Sequence, residues 1–166
     1  SFNPATMDLF IELCASSQFL IDILIQHPGM IDDLMDSLVF NQLRAIEDLR
    51  TELASLCHKA EDPKPILHSF NNKEILRIGV RDILGKDSIE DTTRSLSDLA
   101  EVILIQIAEQ EYQTLQERWG YPTVSDRSCS PRQCPWCLLV LGKFGGRELT
   151  YHSDLDVIFL YDSDGT

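Results

Sequence analysis

No apolar run in this chain of 166 residues approaches the ~20 residues needed to cross a bilayer; the longest, CLLVL at Cys137–Leu141 and VIFLY at Val157–Tyr161, are far shorter. The opening SFNPATMDLF lacks the basic start of a secretory signal, so the expected location is the cytoplasm, with no membrane partner. Positive charge is scarce. Lys and Arg number 14 against 27 Asp and Glu, a net charge of −13, and such a chain repels phosphate backbones except where cations gather locally, which disfavours nucleic acid as a partner. The five cysteines, Cys14, Cys57, Cys129, Cys134 and Cys137, are an odd and sparse set, unlike the framework of a small secreted fold, and read as reduced thiols. There is no repeat period and no low-complexity tract. What remains, 43% hydrophobic and 25% charged residues, is the composition of an ordinary globular protein long enough to bury a core.

The first two thirds of the chain carry helical periodicity. From Thr6 to His27, Met7, Leu9, Phe10, Leu13, Phe19, Leu20, Ile23 and Leu24 recur mostly at three- and four-residue steps, predicting one helix or two broken near Ser16–Ser17. Met30–Leu38 and Gln42–Lys59 also read as helices, the second ended by EDPKP. A further helix is predicted from about Asn71 to Leu84, with Gly85 as its stop. The clearest helix follows: SIED at Ser88–Asp91 has the form of an N-cap, and the run to Trp119 holds Leu96, Leu99, Ile103, Ile107, Tyr112 and Leu115 without Gly or Pro. Leu96, Leu99, Ile103 and Ile107 are expected to face the interior of a bundle.

The composition changes at Gly120. Residues 120–135 are polar and proline-containing and read as a linker or loop, after which Trp136–Leu141 and Leu155–Tyr161 have the β-rich pattern of two strands lying side by side. The expected organisation is thus a helical domain over 1–119, the linker over 120–135, and the first strands of a sheet-based unit over 136–166.

Between the two strands stands GKFGGRELTYHSDLD, residues 142–156. In an extended chain Asp154 and Asp156 share a face, with Leu155 and Val157 expected to point to the core. Two like charges on one face suit a shared hard cation, and Mg²⁺ is commonly held by one or two carboxylates with water and substrate phosphates completing its shell. Gly145–Gly146 removes side chains where backbone must approach a phosphate chain closely, and Lys143 or Arg147 could offset phosphate charge. Each motif alone more often marks a turn or a solvated strand end; in this order between two apolar strands they point to nucleotide chemistry.

These residues resemble a known family. GKFGGRELTYHSDLDVIFLYD is similar to the signature of the nucleotidyltransferase domains of glutamine synthetase adenylyltransferase, the bifunctional bacterial enzyme that attaches AMP to glutamine synthetase and removes it. SSQFLIDILIQHPGMIDDLMD and the stretch from Asn72 to Gly120 are similar to its helical segments, so apart from the loop around Cys129–Cys137 nearly the whole chain is covered. The resemblance implies a mainly α fold, a helical bundle followed by the first strands of a polymerase-β-like nucleotidyltransferase α/β domain. It implies phosphate-binding glycines at Gly145 and Gly146, with Ser153 before the acids, and metal-binding, catalytic aspartates at Asp154 and Asp156. It further implies ATP and Mg²⁺ as cofactors, glutamine synthetase as protein substrate, and a PII-type regulator. A third carboxylate from a later strand is usual in that superfamily; Asp162 and Asp164 stand too soon after the strand to serve. Leu155 between the acids, where the AMP-removing half usually has isoleucine, favours the C-terminal adenylylating half; the AMP-removing half is the alternative.

Other readings stay open beside this one. A helical interaction module without activity of its own fits the acidic, helix-rich composition, and nucleotide transfer to RNA fits the motif but not the charge. CPWC at Cys134–Cys137 has the spacing of a redox or zinc half-site, with Cys129 near, but a fourth ligand would have to come from His152 or elsewhere. His27, His58 and His68 lack metal-ligand spacing and read as surface or helix-end residues, and His152 as a solvated loop residue.

Overall fold

The computed structural model describes residues 4–31, 34, 43–124 and 132–163. The chain is mainly α. Helices α1 (Pro4–Ser16) and α2 (Gln18–Gln26) are separated at Ser17, whose side chain caps α2 by accepting from the Leu20 amide, so the predicted break is the one formed. The helix expected over Met30–Leu38 lies mostly outside the described residues. Helix α3 runs Ile46–Cys57.

Helix α4 (Lys64–Ile83) starts well ahead of the expected Asn71. The preceding helix stops at Cys57, ahead of the prolines, which instead open this one: Pro63 is the N-cap and Pro65 sits in the first turn, where a missing N–H costs nothing. Gly85, in the left-handed region at φ +61°, follows the end of α4 as expected. Helix α5 (Ile89–Trp119) is the long helix of the sequence reading, capped by Ser88, whose hydroxyl accepts from the Asp91 amide at 3.1 Å.

Four short strands follow. Thr123–Val124 (β1) pairs antiparallel with Arg132–Gln133 (β2) inside the segment expected to be a linker or loop. Trp136–Val140 (β3) pairs antiparallel with Val157–Tyr161 (β4), in the register Trp136↔Tyr161 to Val140↔Val157. Between these two strands lies α6, a single turn at Gly142–Gly145. No described helix is long and apolar enough to cross a membrane.

Two apolar clusters form the core, and α4 is a wall of both. Leu67, Phe70 and Ile78 face Leu49, Leu53 and Cys57 of α3 and Leu96, Leu99 and Val102 of α5. Leu76 and Val80, fully buried, face Leu9, Leu13, Leu20, Ile21, Ile23 and Leu24 of α1 and α2. The close approach of α2 falls at Gly79, where a Cβ would stand 2.6 Å from a Leu20 methyl. Of the four residues of α5 expected inside, Leu96 and Leu99 are buried and Ile103 packs against the cluster, but Ile107 is exposed, because it lines an open groove between α5 and the first turns of α4.

Among the described residues two charged side chains are buried, Glu74 and Arg81, and Glu74 is the deeper. Glu74 is 1% exposed and its carboxylate is held by Arg44 at 2.7 Å and by Arg77 at 2.8 Å, so the buried charge is paired on both sides. Burial lowers the Arg77 guanidinium against the pull of Glu74. Arg44 also reaches Glu52 at 2.5 Å. Burial would raise the Glu52 carboxyl, but the Arg44 hydrogen bond and charge, with Lys73 beside them, outweigh it and hold Glu52 below its usual value.

Four described cysteines, Cys14, Cys57, Cys134 and Cys137, are free thiols; Cys129 lies outside the described residues. Cys134 is buried and Cys137 exposed, and among the described residues no three His, Cys, Asp or Glu side chains gather as a metal-binding group.

Removing one partner of the Glu74 cluster should be severe: Glu74→Ala is expected to cost roughly 3–5 kcal/mol, read from urea unfolding. Glu52 contributes stability that is present above its unfolded value of about 4.3 and lost as pH falls through its lowered folded value. The acid limb of the stability profile should therefore be shallower in Glu52→Gln than in the native chain.

Candidate nucleotide and metal site

The segment between β3 and β4 is built around glycine and anchored by two apolar side chains. After Leu141 the chain turns at Gly142, which takes φ +55°, a region unfavourable to residues with a Cβ; a Cβ there would also lie 2.7 Å from Oδ2 of Asp156. At Gly145 a Cβ would stand 2.7 Å from the Val140 carbonyl oxygen, so the turn folds back against β3 only with glycine. The Gly145 and Gly146 amides donate within the turn, to the Leu141 and Gly142 carbonyls at 2.9 and 3.1 Å. Gly146 meets nothing closer than 3.5 Å and leaves that surface of the turn open.

Phe144 and Leu149, each 3% exposed, enter the cluster formed by α3, α4 and α5. Polar bonds fix the same segment to the helices. Arg147 pairs with Asp98 and, at 2.6 Å, with Glu101, both on α5. Burial pushes the Asp98 carboxyl up against the opposing charge of Arg147, and Glu101 beside it adds to the rise. The Leu149 amide donates to the buried Ser97 hydroxyl at 3.3 Å, and the Tyr151 hydroxyl donates to Asp82 of α4 at 3.0 Å. Burial, then the hydrogen bond and charge of Asp82, push the Tyr151 phenol well above its usual value.

The acids come next. The β3–β4 ladder ends with the Leu141 amide donating to the Asp156 carbonyl at 2.9 Å, so Asp156 lies at the mouth of the hairpin and β4 begins at Val157, later than the expected Leu155. Asp154 and Asp156 are both exposed, and among the described residues neither carboxylate has a hydrogen-bond or ion-pair partner. By strand alternation Asp156 lies on the sheet face of Ile158 and Leu160. Val157 packs on the helical core as expected, but Leu155 is 44% exposed: it precedes the ladder, where no helix covers it.

Exposed oxygen donors without a competing protein cation fit a hard divalent ion such as Mg²⁺, which takes few protein ligands and keeps waters. The Lys143 side chain is exposed and likewise has no partner among the described residues. Ser153 is employed locally: its hydroxyl accepts from the Thr150 amide at 2.9 Å and its own amide donates to the Thr150 carbonyl at 3.1 Å, closing the turn that presents the acids. His152 packs edge-on against Phe19, with ring centroids 5.1 Å apart.

The structure thus gathers Lys143, Gly145, Gly146, Ser153, Asp154 and Asp156 into one segment between paired strands, while Arg147, a candidate to offset phosphate charge, is occupied by α5. Sequence reasoning missed Gly142, the glycine nearest an acid, although its place directly after a strand was a signal. It also missed Ser97, Asp82 and Tyr151, which carry no local signature.

Comparison with known proteins gives the family of the chain. A family model described as glutamate-ammonia ligase adenylyltransferase matches residues 7–166, and the chain belongs to that family. Relatives include the bifunctional glutamine synthetase adenylyltransferase/adenylyl-removing enzymes of Shewanella woodyi, 33% identical over 90% of this chain, and of Mannheimia succiniciproducens, 33% identical over 96%. That of Pasteurella multocida is 30% identical over 98% of the chain. The chain spans only 15%, 16% and 16% of the lengths of these three relatives.

The two glycines of the pair should respond differently to a methyl group. Gly145→Ala is expected to lose roughly 1–3 kcal/mol through its contact with the Val140 carbonyl, whereas Gly146→Ala should stay within about 1 kcal/mol of the native chain; thermal melting of both compares them.

Proposed function

We propose that the chain carries part of an Mg²⁺-dependent site that transfers AMP from ATP to a tyrosine hydroxyl of glutamine synthetase. The observation that carries this reading is the pair of exposed carboxylates at Asp154 and Asp156, without a partner among the described residues while the guanidinium of Arg147 is taken by Asp98 and Glu101. Membership of the adenylyltransferase family supports it. On this reading Asp154 and Asp156 hold the metal, Gly145 and Gly146 leave room for the triphosphate, and the exposed Lys143 offsets phosphate charge. Held there, the ion would supply Lewis-acid stabilisation of the charge that develops on the pyrophosphate leaving group. This chain's contribution is geometric: it orients the carboxylates and supports them on a rigid helical base. Ser153 closes the turn that aims them. A PII-type regulator, on the same reading, acts through the helical residues.

The relatives' name joins adenylyltransferase to adenylyl-removing activity, so phosphorolytic removal of AMP is the second reading. Leu155 between the acids supports transfer. Assays on unmodified and on adenylylated glutamine synthetase separate the two, using a polypeptide of the relatives' length that carries this sequence.

In that polypeptide Asp154→Asn and Asp156→Asn should each nearly abolish transfer and leave the melting temperature unchanged or raised, since each change relieves repulsion between like charges when no cation lies between them. Near-native rates in either variant would reduce the pair to the polar end of a strand.

A further inference from the structure

Between the helices and the two acids there is one polar contact closer to the acids than any other, and its chemistry is unusual. Arg147 and the Leu149 amide tie the segment to α5, but both lie before the turn at Thr150–Ser153. Tyr151 lies within that turn, three residues before Asp154, and its hydroxyl reaches Asp82 in the last turn of α4 at 3.0 Å.

Asp82 is itself a fixed point. Its carbonyl accepts from the Gly85 amide at 2.9 Å, and the neighbouring Arg81 is locked to Asp87 at 2.5 Å, with the Lys86 amide donating to the Arg81 carbonyl at 2.9 Å. These bonds make the corner between α4 and α5 rigid, and the second oxygen of Asp82 faces the Thr92 hydroxyl of α5 at 3.5 Å. On the other side of the contact, the two Ser153–Thr150 bonds make the turn stiff. A displacement of the phenol is thus passed to Ser153 and Asp154 with little slack. The ring and the hydroxyl have separate tasks: the ring packs on the helical cluster, which a phenylalanine would do equally well, while only the hydroxyl selects where along α4 the turn is held.

We propose that Tyr151 is a positioning residue for the Asp154–Asp156 pair, acting through the hydrogen bond its hydroxyl donates to Asp82. The proposal rests on the metal-binding reading for its consequence, though the tether itself can be tested without metal. It makes the α4–α5 corner part of the machinery that sets the separation and aim of the two carboxylates.

The test uses the 166-residue chain with Tyr151→Phe, Asp82→Leu and Asp82→Asn, the last retaining an oxygen acceptor. Amide hydrogen exchange at residues 152–156, where the Ser153 amide is bonded to the Thr150 carbonyl, reads the tether at Ser153. It should quicken roughly tenfold or more in Tyr151→Phe and Asp82→Leu, as expected for loss of a hydrogen bond to a charged acceptor, and recover substantially in Asp82→Asn. Exchange in the α3–α5 cluster should not change. Mn²⁺ titration followed by paramagnetic resonance reads the consequence: affinity should weaken in Tyr151→Phe and vanish in Asp154→Asn. Alkaline unfolding supplies a second readout of the buried, hydrogen-bonded phenol. The raised folded phenol stabilises the protein below its unfolded value of about 10 and that contribution is lost as pH rises above it, so Tyr151→Phe should have the flatter alkaline limb. Unchanged exchange at 152–156 in Tyr151→Phe overturns the proposal whatever the metal does. Quickened exchange with unchanged Mn²⁺ affinity overturns the link to the carboxylates. Absence of Mn²⁺ binding to the native chain instead removes the metal-binding reading, and the exchange data then judge the tether alone.

Discussion

The insertion of Phe144 and Leu149 into the helical core is the contact on which the rest of this molecule depends. Two strands of five residues make a sheet too small to be stable alone. Along β4 only Val157 is even half-buried, so the hairpin draws little from its own packing. Its stability is borrowed from α3, α4 and α5 through the segment that joins the strands. That segment is also the one that carries the glycines and the acids, so the element that needs the most exact placement is the one most firmly attached to the largest core.

The attachment divides its work by the nature of the forces. Apolar burial is strong but has little direction, and Phe144 and Leu149 alone would tolerate some rotation of the segment about them. Direction comes from the polar bonds of Arg147, Ser97 and Tyr151, each of which names a partner on a particular turn of α4 or α5. The exposed acids then project from a frame oriented by these bonds. Helix α5 supplies the carboxylates that take up Arg147, and among the described residues Asp154 and Asp156 have no cationic partner.

What could be read from the sequence was what local physics decides. Ser88 and an uninterrupted apolar spacing defined α5, Ser17 defined the break before α2, and the two β-rich runs around a glycine pair defined the hairpin. The start of α4 was misjudged because proline stops one helix and begins another with the same ring, and only the following residues decide between them. Ile107 was misplaced because periodicity says which face is apolar but not how closely the neighbouring helix packs on it. Leu155 was misplaced for a related reason: alternation was applied to residues that precede the ladder. The candidate site was legible as residue types, since glycine and paired acids have chemistry wherever they stand. Its supports were not, because Ser97 with Leu149 and Asp82 with Tyr151 are joined only by the tertiary fold.

The double exposure of α4 to two cores has an evolutionary consequence. Leu76 and Val80 answer to α1 and α2 while Phe70 and Ile78 answer to α3 and α5, and Gly79 admits Leu20 between them. A substitution that shifts α4 by a fraction of an ångström to suit one cluster changes the fit in the other, so accepted changes in the two should be epistatic, each permitted or forbidden by the residues present across the helix. Drift in this family segment would then proceed in concerted sets, with the N-terminal helices constrained by a site that they border through Phe19 and His152.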